Sequence, residues 1–87
     1  MKIKKGFILK DVAGNTFVVA VGAMSKKFNG IITLNETAKL IWQCLVDGAE
    51  KEEIVEKIMD EYDAEREIVE KDVDSFIAKL DGDGILE

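Results

Sequence analysis

An α+β fold, a small three-stranded antiparallel sheet followed by three short helices, is predicted by three features of the sequence. The first 34 residues hold three short runs rich in β-branched and aromatic residues, set apart by Gly and Asn. From Asn35 onward, apolar residues recur at helical spacing in three successive segments. Connectors of only a few residues join these segments. No linker, repeat or low-complexity stretch divides the 87-residue chain, so residues 1–87 read as one domain.

Gly6 to Val12 and Thr16 to Val21 predict a β-hairpin around Ala13, Gly14 and Asn15, with Gly14 or Asn15 supplying the positive φ of a tight turn. A looser stretch, Gly22 to Asn29, leads to a third strand over Gly30, Ile31, Ile32, Thr33 and Leu34. At Asn35 the period changes. Asn35 is an N-cap type with Glu36 in the first turn, and Leu34, Ala38, Ile41, Trp42 and Leu45 fall on one helical face, closed by Gly48. Glu50 to Glu53 opens a second helix with Ile54, Val55, Ile58, Met59 and Tyr62 as its stripe. A third runs from about Glu65 to Leu80 on Val69, Val73, Phe76, Ile77 and Leu80. Asp81 to Gly84 reads as a turn and Ile85-Leu86 as a last short strand. Strands first and three short helices after is the element order of a winged helix-turn-helix-like domain.

Composition removes whole classes of activity. The chain has no histidine, no proline and one cysteine, so a Ser-His hydrolase, most zinc sites and an internal disulfide are excluded. No catalytic residue, cofactor or metal site is expected, and the chain reads as a non-enzyme. Hydrophobic residues make up 47% and charged residues 34%, the balance of a folded domain rather than a disordered tail. No apolar run is long enough to span a membrane, and the basic start Met1 to Lys5 is not followed by an unbroken apolar segment; a cytoplasmic protein is expected. The net charge of −6 divides unevenly: residues 1–46 carry net +5 and residues 47–87 net −11.

Cys44 lies inside the first helix with no histidine to activate it, the setting of an inert small side chain. Asp81-Gly82-Asp83-Gly84 matches the opening of a calcium loop, but Ile85 and Leu86 stand where further oxygen ligands belong, so a surface turn is the better reading. A helix-turn-helix DNA-binding or regulatory protein is the rival on topology. Its recognition helix would hold Arg66, Lys71 and Lys79 against Glu65, Glu67, Glu70, Asp72, Asp74 and Asp81, a balance that repels phosphates. Lys2, Lys4, Lys5, Lys10, Lys26 and Lys27 either meet an acidic partner or form a solvated rim.

The third strand is more informative. Gly30 to Leu34 carries no charge and no proline, the usual protections of a sheet edge. Its edge is covered by Ile85-Leu86, by a twin subunit in a homodimer, or by a peptide that adds a strand. Ile68 stands off the main stripe of the third helix on the Phe76 side, near Asp72 and Lys79, as either a chance exposed residue or part of a binding surface.

Leu34 to Ala38 followed by Leu40-Ile41-Trp42, then Asp47-Gly48, Glu52 to Val55, Tyr62-Asp63 and Gly84-Ile85-Leu86, together resemble the PqqD-like family over roughly residues 6 to 87. This family is named for a protein of pyrroloquinoline quinone (PQQ) biosynthesis and is the model for precursor-recognition domains of ribosomally synthesised, modified peptides (RiPPs). The resemblance implies a non-catalytic peptide chaperone that binds the leader of a precursor peptide and presents it to a modifying enzyme, commonly a radical S-adenosylmethionine (radical SAM/SPASM-type) enzyme. The acidic third helix and the lack of a spanning apolar run make nucleic acid and membrane unexpected as partners. The leader is then expected as an added strand along Gly30, Ile31, Ile32 and Thr33, against Ile68, Asp72, Phe76 and Lys79 of the third helix.

Overall fold

The computed structural model describes residues 2–28 and 30–87; Met1 and Asn29, read above as the basic start and the end of the looser stretch, lie outside the described residues. Strands β1 (Phe7–Val12), β2 (Asn15–Ala20) and β3 (Ile32–Leu34) form an antiparallel sheet in the order β1-β2-β3, so β1 and β3 are its edges. Helices α1 (Glu36–Val46), α2 (Lys51–Glu61) and α3 (Arg66–Gly82) follow, and the element order is the one expected from the sequence.

Register sorts the two faces of the sheet. Leu9 pairs with Val18 and Val18 with Ile32, while Thr16 pairs with Leu34. Alternation therefore puts Val18, Ile32 and Leu34 into the core, and all three are buried. Phe7 and Leu9 pack against that core, Phe7 meeting Trp42 edge-on at 6.3 Å and Phe28 at 5.6 Å between ring centroids. The helices complete it with Ile41, Trp42 and Leu45 of α1, Ile54, Val55 and Ile58 of α2, and Val69, Val73 and Leu80 of α3. These are the stripes that the helical period marks, with Met59, Tyr62, Phe76 and Ile77 half-buried at its margin.

Four local expectations are corrected. Val12 pairs with Asn15, so Asn15 belongs to β2 and the turn is Ala13-Gly14, with φ of 53° and 82°. Both residues in positive φ make a type I′ hairpin, whose twist suits the flanking strands. The stretch Gly22–Lys26 is a short 3₁₀ turn rather than irregular chain. Gly30 and Ile31 precede β3 instead of belonging to it. Helix α3 continues through Asp81 and Gly82 before it turns.

Helix ends follow the sequence closely. The Asn35 side chain accepts a hydrogen bond from the Ala38 N–H at 2.8 Å, capping α1. At the other end Ala49 N–H donates to the Cys44 carbonyl and Gly48 N–H to Leu45, a Schellman closure. Helix α3 ends the same way, Ile85 N–H on Leu80 and Gly84 N–H on Asp81. This throws Ile85 back into the core and sends Leu86 across to Ile3 as an isolated bridge, flanked by Lys4 N–H to Ile85 and Glu87 N–H to Lys2. The last residues thus pair with the first, and they do not cover β3.

Candidate functional site

Among the described residues β3 pairs only with β2, so its outer edge is open. Ile32 and Leu34 turn their side chains into the core and Thr33 faces out. By register the Ile32 and Leu34 backbone groups bond to β2 and those of Thr33 point to the open side, while Ile31, 67% exposed just before the strand, has an apolar side chain in solvent. Gly30 is exposed beside it.

One residue, Asn35, separates β3 from α1, so the first turns of α1 stand at the end of the open strand. There they face α3. Asn35, Thr37, Ala38 and Ile41 on one side and Asp72, Ser75, Phe76 and Lys79 on the other line a cleft of about 390 Å³. Of the helix residues expected from the sequence, Asp72, Phe76 and Lys79 meet in this cleft. Ile68 does not line it; it lies one turn before Asp72 on the same stripe and is 54% exposed. Ser75 and the α1 wall are absent from the sequence reading, which treats Asn35 as a cap and Ile41 as core. The one signal for them is the single-residue β3–α1 connector.

The cleft has an apolar floor of Ala38, Ile41 and Phe76 and charged groups, Asp72 and Lys79, at its rim. Neither charge has a side-chain partner among the described residues, which leaves both available to a ligand. Arg66, Glu70 and Asp74 of α3 are committed elsewhere. Arg66 donates to Glu56 at 2.6 Å and lies 3.5 Å from Glu70, and Lys51 meets Asp74 at 2.8 Å. The hydrogen bonds to Glu56 and Asp74 push the Arg66 and Lys51 pKa values up, fixing their positive charge. Cys44, 9% exposed, is no part of this site, and burial pushes its thiol up from 9.0. A neutral, buried thiol is a poor nucleophile.

The structure thus combines an α+β domain of winged-helix-like element order with an uncovered strand and an apolar cleft at its end. The chain belongs to the PqqD family, described as coenzyme PQQ synthesis protein D, which matches over residues 7–86. Its fold is similar to that of TbiB1 in complex with the TbiA(beta) leader peptide, with a TM-score of 0.79 and 26% identity over 100% of this chain and 95% of that one. It is also similar to a lasso peptide synthetase B1 complexed with the leader peptide, with a TM-score of 0.76 and 23% identity over 97% and 93% of the two chains. Among curated protein sequences there is no significant match.

Proposed function

We propose that this protein binds the leader of a ribosomally made precursor peptide as an added strand on β3, beside α3, and presents it to a modifying enzyme of the radical SAM class without itself catalysing a reaction. The observation that carries this reading is the uncovered β3 edge leading straight into the Asp72–Phe76–Lys79 cleft. Membership of the PqqD family and similarity to a leader-bound structure support it.

Magnitudes say how the two parts must cooperate. A strand of three residues, Ile32–Leu34, offers about two or three backbone hydrogen bonds, worth roughly 1–4 kcal/mol together. Micromolar binding needs about 8 kcal/mol. Apolar leader side chains entering the cleft and lying against Ile31 and Ile68 supply the remainder, at roughly 25 cal/mol per Å² buried. DNA binding is disfavoured by the same helix: α3 carries five acids against three cations, and Arg66 is already paired.

The test is titration with the labelled leader of a short precursor encoded beside the gene, read by fluorescence anisotropy. Thr33→Pro removes a strand N–H at an exposed position and spares the core, whereas proline at Ile32 would also disturb packing. Thr33→Pro and Ile68→Asp are each expected to weaken binding about tenfold or more, a loss of about 1.4 kcal/mol, with the helical circular dichroism retained. Leader binding unaltered by both variants would exclude strand addition at this edge.

A further inference from the structure

We propose that the opposite edge of the sheet, β1, is a second docking surface, for an extended segment of a partner protein that is apolar in its middle and acidic at its ends. Among the described residues β1 pairs only with β2, so the sheet is open on both sides. Beside β1 lies a cavity of about 550 Å³, separate from the cleft at β3. It is lined by Phe7, Ile8 and Leu9 of β1, by one face of α1 between Leu40 and Val46 with Asp47 capping its end, and by Lys57 of α2. Leu40, Trp42 and Cys44 give it an apolar interior, and Ile8 and Val46, 40% and 47% exposed, stand at its mouth. A strand laid along β1 would place alternate side chains over this opening.

Charge decides the occupant. Lys5 and Lys10 bracket the apolar run Phe7-Ile8-Leu9, and neither has an ion-pair partner among the described residues. The one acid of β1, Asp11, already accepts the Thr16 hydroxyl at 2.5 Å and pairs with Lys39 at 3.4 Å. Across the mouth, Asp47 and Lys57 offset one another, and Glu53 and Glu61 lie one turn either side of Lys57, so the positive charge open to a partner is that of Lys5 and Lys10 at the two ends of the apolar run. A second copy of this chain would bring the same lysines against its own, which disfavours self-pairing through β1. A segment with acids at its ends is drawn to Lys5 and Lys10 and repelled by acidic α3, so it is directed away from the β3 cleft. This assignment does not depend on what β3 binds.

The probe is a synthetic peptide of about ten residues, alternating valine and threonine between glutamate ends, with a lysine-ended version as control. Binding is mapped by amide NMR on the full chain. Glutamate-ended peptide is expected to shift the amides of Gly6–Lys10 and Val46, and the lysine-ended peptide to bind about tenfold more weakly. Ile8→Glu and Lys10→Glu, both at exposed positions, should each remove these shifts while leaving the spectrum of the core unchanged. Shifts confined to Ile31–Leu34 and α3, equal binding of the two peptides, or no binding would each overturn the proposal. So would a dimer by sedimentation that Ile8→Glu dissociates, because a second copy would then be the occupant.

Discussion

Ala13 occupies the left-handed region at φ 53°, a conformation costing an alanine about 1 kcal/mol relative to a residue suited to it. In a type I′ turn followed by glycine, asparagine is that residue. Ala13→Asn should therefore raise stability by about 0.5–1 kcal/mol, seen as a higher urea midpoint at unchanged slope. A midpoint that stays or falls would show that the turn carries no such strain. The neighbouring Asp11 carboxyl is held below its ordinary 3.8 chiefly because the Thr16 hydroxyl donates to it, against some desolvation and with help from Lys39. A depressed folded-state pKa stabilises above the unfolded value and ceases to do so as pH falls through the folded one. Asp11→Asn should accordingly lower the melting temperature slightly near neutral pH and make no difference well below 3.8. Thermal melts of the two proteins across acid pH check this, and a gap that persists in strong acid would contradict it.

At the scale of elements, the two Schellman closures show how local chemistry sets the frame. Gly84 has φ +74° and open space around its missing side chain, so Gly84→Ala meets conformational strain alone. The expected cost is about 1–2 kcal/mol by denaturant titration; a neutral result would mean that the α3 end relaxes freely. The helices were legible in the sequence because their signals are local: Asn35 as cap, Gly48 as a stop, and core residues every three or four positions. Pairing is not local, and there legibility ends. Asn15 looks like a turn residue by composition, yet register with Val12 makes it a strand residue. Ile85-Leu86 reads as a strand, but nothing in its own residues says that its partner is Ile3. The same limit applies to the cleft. Asp72, Phe76 and Lys79 follow from a helical wheel, whereas the opposing wall depends on where α1 lies relative to α3.

Over the whole molecule, charge is divided as the sequence divides it, with a basic sheet half and an acidic helical half. With α3 forming one side of the proposed leader site, a leader carrying basic residues beside its apolar anchors is expected. Its affinity should fall several-fold as the screening length shrinks from about 10 Å at 0.1 M salt to about 3 Å at 1 M. A flat response in the same anisotropy titration would remove electrostatic pairing from the account while leaving strand addition standing.

The architecture is also unusually sequential. Each strand neighbours the next along the chain, α1 packs against α2, and α2 against α3. Phe7 with Trp42 and Asp11 with Lys39 reach further along the chain, and the junction of Ile3 with Leu86 further still, closing nearly its full length. In the logarithmic estimate, joining ends roughly eighty residues apart costs about 4 kcal/mol of chain entropy if nothing between them is ordered, and far less once the intervening elements have packed. Folding kinetics should therefore be set by the hairpin and the helix pairs, with Ile3 and Leu86 meeting late and parting early. They act as a latch whose loss would quicken unfolding and scarcely touch the folding rate.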